Sequence, residues 1–173
     1  MKPSWIVGAG AALLLLAAVP AQADPDWLAY SDPKGGFTVD LPREPTVKIE
    51  QVEETATHET VPLSKYMIDE GSCAMIVMDG DFTASPSTLD VEAAVRGMLS
   101  DGRVLKSESV IQLDGHEGRY AVLTDSNGYQ LTDMVFVVGR HLYQAITVLP
   151  AAATPAQAAE IAHFAQSFHL AAH

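Results

Sequence analysis

The stretch from Tyr129 to Leu149, YQLTDMVFVVGRHLYQAITVL, constrains this chain more than any other. Met134 to Val138 run together without polar alternation, and Leu142, Tyr143, Ala145, Ile146 and Val148 nearly match them on the return. Strands that are apolar on both sides have to be covered on both sides. Gly139-Arg140 between them suits a two-residue type II′ loop, because its first central position needs a positive φ that Gly adopts without a Cβ clash. Val138 is then opposite His141, Phe136 opposite Tyr143, and Met134 opposite Ala145.

Two further tight-turn signals precede this hairpin, Asp114-Gly115 and Asn127-Gly128, with strand-length segments between them. Both dipeptides favour type I′ loops. A four-stranded antiparallel meander from Arg103 to Leu149 follows. Two-residue loops at 127–128 and 139–140 put Val122, Asp133 and Ile146 side by side, on a face otherwise lined by Val135, Val137, Leu142 and Val148. A carboxylate there is costly unless paired. A core hydrogen bond, a register shift or a bulge would accommodate Asp133, and a functional role is the alternative.

Upstream, Trp27 to Tyr30 reads as a short strand, Asp32 to Gly35 as a turn, and Gly36 to Leu41 as a half-buried strand stopped by Pro42 and Pro45. Val47 to Thr57 and Glu59 to Asp69 form a more polar hairpin near the sheet edge, and Ser72 to Met78 pairs next. A helix is signalled by Ser87 or Thr88 as N-cap with Asp90 behind, by Val91, Ala94, Val95, Met98 and Leu99 on one face, and by Gly102 as its stop. A second opens at Thr154 with Pro155 and Gln157 in a capping box. It presents Ala158, Ile161, Phe164, Ala165 and Phe168, with His169 complementing its C-terminal dipole. Helices before and after a doubly apolar meander can cover its two faces, so the expected fold is α+β, a three-layer α/β/α sandwich on a mainly antiparallel sheet.

The chain begins with Met1-Lys2, then an apolar run from Trp5 to Val19 and Ala21-Gln22-Ala23. This is the pattern of a secretory signal peptide over residues 1–23, the run being too short for a confident membrane span. Residues 24–173 fit a single domain, exported to a periplasmic or extracellular site, with no stable membrane insertion after cleavage. Cleavage removes Lys2 and none of the 22 acids, taking the net charge from −12 to −13. Such a surface repels nucleic acid and anionic membranes. The acids are scattered as on a solvated surface, with their densest cluster at Glu50, Glu53, Glu54 and Glu59; a patch for a cation or a basic partner is the alternative. Cys73, the only cysteine, excludes an internal disulfide and sits in an apolar strand-like run, as a buried inert thiol does.

Catalytic and metal-binding patterns are missing. There is no G-x-S-x-G elbow, phosphate-binding glycine loop, Cys-x-x-Cys or H-E-x-x-H, and His116-Glu117 lacks its second His. Of the histidines at 58, 116, 141, 163, 169 and 173 only 169 and 173 have i, i+4 spacing, and Leu170 stands where the H-E-x-x-H zinc motif needs its glutamate. Asp79-Gly80-Asp81 lacks the remaining ligands of a calcium loop and reads as a turn. No catalytic, cofactor-binding or metal residue is assigned, and no cofactor is expected.

The aromatic-bearing first strand, Gly36-Phe37-Thr38-Val39-Asp40-Leu41-Pro42 with Pro45, the mid-chain helix, the meander ending in a Leu142-Tyr143-Gln144 strand, and a final helix closing on Gln166-Ser167-Phe168-His169-Leu170 carry a resemblance. Together they resemble the PsbP-like and Mog-like α/β/α sandwiches and small exported bacterial proteins of unassigned function. The resemblance, with the missing catalytic patterns, implies a non-enzymatic accessory or binding domain acting through a protein partner. The alternatives are a carrier of a small apolar ligand or lipid, held in a cavity beneath Phe136 and Tyr143, and a hydrolase whose Ser, His and Asp meet only in space.

Overall fold

The computed structural model describes residues 26–34, 36–53, 58, 60–85, 89–99 and 102–171. Residues 1–23, read above as a signal peptide, lie outside them. In chain order the elements are β1 (Leu28–Ser31), β2 (Phe37–Leu41), β3 (Thr46–Glu53), β4 (Thr60–Asp69), β5 (Ala74–Asp81), α1 (Val91–Gly97), β6 (Val104–Leu113), β7 (His116–Thr124), β8 (Gln130–Val138), β9 (His141–Leu149), α2 (Pro155–Ser167) and β10 (His169–Leu170). Seven strands form one antiparallel sheet in the order β3-β4-β5-β9-β8-β7-β6, and β1-β2-β10 form a second.

The β8–β9 hairpin has the expected register, with Phe136 opposite Tyr143 and Val138 opposite His141. Of its two loop residues only Gly139 has positive φ, as type II′ requires. Consecutive residues Val135 and Phe136 are both fully buried but belong to different cores. One core gathers Phe136, Tyr143, Phe164 and Phe168 with Phe37 and Val39 of the small sheet. The other gathers Val135, Ala121, Leu123 and Leu131 under Val95 of α1, joined by Val91, Ala94, Met98 and Leu99. The apolar helical spacing read from 91 to 99 thus marks the packed face.

Four expectations need correction. Across the Asn127-Gly128 turn, Thr124 pairs with Gln130, so the loop runs from 125 to 129. Asp125 N–H donates to Tyr129 O and Gly128 N–H to Asp125 O, with Gly128 at φ +84. This is a type I turn closed by a left-handed glycine, longer than a type I′ loop, and it moves Ala121 rather than Val122 opposite Asp133. Asp79-Gly80-Asp81 is no turn but the end of β5, paired with His141 to Tyr143. The first helix is capped by Asp90, whose side chain accepts from Glu92 N–H, and it ends at the Met98 C-cap rather than at Gly102. Ser87 and Thr88 lie outside the described residues. His169 is not in the last helix: α2 keeps its Thr154–Gln157 capping box but stops at Ser167, and His169 opens β10 against Thr38.

Gly118 of β7 is opposite Phe136, and a Cβ there would stand 2.4 Å from the Val135 carbonyl oxygen. Neither a backbone oxygen nor a fully buried ring has room to yield. Gly118→Ala is expected to destabilise the domain by about 1–3 kcal/mol, measured by urea unfolding; an unchanged midpoint would contradict the packing.

Candidate functional site

Three places bring chemistry-bearing side chains together. The first is Asp133, fully buried among the residues beneath α1. Gln144 on the neighbouring strand donates its amide to Oδ2 at 2.8 Å, and Oδ1 has no hydrogen-bond partner. The expected core hydrogen bond is therefore present but satisfies half the carboxylate. Burial drives the pKa up to about 7, opposed by the Gln144 hydrogen bond. Thr132 and Thr147, on the opposite face of the same strands, pair hydroxyl to hydroxyl at 2.6 Å.

The second place is one end of the α2 side of the sheet. Buried Asp32 accepts from Tyr66 Oη at 2.8 Å through Oδ1 and from Gly36 N–H at 3.1 Å through Oδ2, tying the β1–β2 turn to β4. Buried Asp79 meets His141 Nδ1 at 3.4 Å. Burial raises the Asp79 pKa and His141 lowers it. Tyr143 fills the space above Gly36, and burial, then the charges of Asp79, Asp32 and Asp81, raises its hydroxyl to about 12. Burial and the hydrogen bond to Asp32 raise Tyr66 as well. Both phenols stay protonated, and Tyr66 donates its proton to Asp32. The expected cavity beneath Phe136 and Tyr143 is filled by protein: both are buried, and Phe136 lies over Phe168 at 6.4 Å between ring centroids.

The third is a Ser, His and Asp group that the sequence reading did not assemble. His163 stacks on Trp27 at 4.1 Å and meets Asp40 at 3.0 Å. Ser167 lies one turn along α2, but its hydroxyl donates to Phe164 O and accepts from Asp40 N–H. That hydroxyl fastens the helix end to β2, its proton directed at a carbonyl and not at His163. His58 and His169 likewise meet the carboxylates of Glu53 and Asp114. Among the described residues no three His, Cys, Asp or Glu side chains converge as metal ligands. Cys73 is buried, and burial, then Glu160, Glu70 and Asp69, pushes its thiol pKa up.

At the sheet edges, by contrast, side chains are offered to solvent. Every residue of β3 is exposed, including Val47 at 50%, Ile49 at 68% and Val52 at 45%. β3 pairs with β4 on one side and ends the sheet on the other.

No protein-family model matches the sequence, and no curated protein matches it. Among solved structures the chain is similar to cyanobacterial PsbP (CyanoP) from Synechocystis sp. PCC 6803, with a TM-score of 0.55 and 14% identity over 90% of this chain and 98% of that one. The chain has a PsbP-like fold. It is also similar to PA94 from Pseudomonas aeruginosa, a protein of unknown function, with a TM-score of 0.40 and 10% identity over 78% of this chain and 94% of that one.

The buried carboxylate makes stability depend on pH. Asp133 holds its proton more tightly folded, at about 7, than unfolded, near 3.9, so its cost is absent below pH 4 and fully present above pH 7. Asp133→Asn should therefore gain on the parent between pH 4 and pH 8 by about 4 kcal/mol at most. Denaturant unfolding across that range checks it; a constant difference would contradict the raised pKa. Tyr66→Phe should cost about 1–3 kcal/mol through the orphaned Asp32 oxygen, read as a lowered urea midpoint.

Proposed function

We propose that this chain is a single exported accessory domain, non-enzymatic, working in the periplasm or outside the cell through a protein partner. Its signal-like start supports export, and its architecture is proposed to be the α/β/α sandwich, with α1 and α2 on opposite faces of the large sheet. The observation that carries the partner reading is β3, an eight-residue edge strand with exposed Val47 and Ile49 on one face. An edge strand presents unpaired N–H and C=O groups to which an extended segment can add, its alternate side chains supplying specificity.

The partner segment we propose is extended, apolar where it lies beside Val47 and Ile49, and basic toward the hairpin end, where Glu50 and Glu53 are exposed and Glu54 follows in sequence. Complementary charge suits a protein whose net charge is −12. Apart from Asp133, whose Oδ1 is unpaired, the buried carboxylates and hydroxyls described above are engaged within the fold, and β3 is the exposed strand on which the partner reading rests.

The test is native mass spectrometry of the mature protein recovered from the compartment to which its host exports it, beside Val47→Asp and Ile49→Asp variants. A partner mass that accompanies the parent protein and is lost from both variants, with the thermal midpoint kept, is expected. A partner retained by the variants would overturn the β3 assignment, and a bare protein carrying only a small-molecule adduct would overturn the accessory reading.

A further inference from the structure

On the α1 side of the sheet the helix packs against β7 and β8, whereas a pocket of about 180 Å³ opens farther across the same face, over β9, β5 and β4. Ile76, Met78, Ile146 and Met98 supply apolar walls, and Lys65 and Arg103 supply cations. Lys65 is also the direct cross-strand partner of Lys48 on β3, so the two ammonium groups project from the same face. Like charges directly opposed across an antiparallel pair repel. The arrangement is unexpected in a chain with 22 acids against 10 bases, where an Asp or Glu opposite either lysine would remove the cost. Neither lysine is ion-paired among the described residues, and Arg103 reaches only a carbonyl, that of Met98, at 3.4 Å.

We infer that this pocket binds a small amphiphile with an anionic head and a short unbranched apolar tail. The head sits at Lys65 of the lining, with Lys48 beside it across the strand pair, and its charge relieves the repulsion between the two lysines; Arg103 is the second cation of the lining. The tail lies along Ile76, Met78 and Ile146. A pocket of about 180 Å³ limits the tail to a short one. Lysine ammonium groups act as point charges and serve a carboxylate or a phosphate monoester alike, so the shared chemistry is the anionic head. This site lies on the α1 face and takes Lys48 from β3, whereas partner addition would use the free backbone edge of that strand.

The experiment titrates the full mature protein with hexanoate, hexyl phosphate and hexan-1-ol while the methyl resonances of Ile76, Met78, Met98 and Ile146 are followed by NMR. At least one anion is expected to shift these methyls saturably and to bind at least about tenfold tighter than the alcohol, since a hydrogen bond to a charged group is worth that much. The tighter of the two anions identifies the head. In a Lys48→Gln, Lys65→Gln double variant, which alters side chains at the surface of the sheet, the advantage of anion over alcohol should disappear while the alcohol binds as before. Shifts that map elsewhere, fail to saturate, are as strong with hexan-1-ol, or keep their preference for the anion in the double variant would overturn the inference.

Discussion

The structure depends on one constraint, that the β8–β9 hairpin has no face it can show to water. Val135 and Phe136 are neighbours in sequence and point to opposite sides, yet both are fully buried. Two separate cores follow from that fact. Phe136 and Tyr143 need the broad cover given by α2 with the small β1-β2-β10 sheet, while Val135 needs the smaller cover of α1. The central place of β9, between β8 and β5, follows as well, because a strand apolar on both sides gains nothing at an edge. The chain reaches this arrangement by carrying α1 across the sheet to start β6 at the far edge, then returning by hairpins until β9 meets β5.

Polar groups then lock the covers in place. Asp32 joins the small sheet to Tyr66, Ser167 joins α2 to β2, and Asp114 accepts from Leu170 N–H to hold β10. Arg140, in the hairpin loop itself, donates to the carbonyls of Phe82 and Ser85 and so fastens the exit of β5. Asp133 differs from these because one oxygen remains unpaired. A buried carboxylate that is half satisfied costs stability, and burial in the α1-side core is what raises its pKa.

Much of this was legible in the sequence because it is written in local pattern. The continuous apolar run of residues 134–138 required two-sided cover, Gly139 set its loop, and the Thr154–Gln157 spacing gave the α2 cap. What was not legible depends on residues far apart or on one residue of loop length. Ser126-Asn127-Gly128 supports both a two-residue and a longer loop, and Asp125 chooses the longer by accepting from the N–H groups of Asn127 and Tyr129. Asp79-Gly80-Asp81 has turn composition, but its pairing with residues 141–143 overrides local preference, and Gly80 leaves room for Phe82 and Leu63. β10 is two residues long and exists only because Thr38 and Phe37 are there to pair with it. Asp133 was visible as an anomaly in an apolar face, whereas its partner Gln144 and the Lys48–Lys65 opposition needed the strand registers.

The account makes the β8–β9 hairpin the centre of stability and β3 the open margin, and native-state amide hydrogen exchange tests this ordering most directly. Amides of Val135, Phe136, Ala145 and Ile146 should exchange only through global unfolding, with β3 amides exchanging far faster through local opening. If β3 proved as protected as the hairpin, or if the hairpin amides exchanged by local opening, the hairpin would not be what the rest of the fold is built upon.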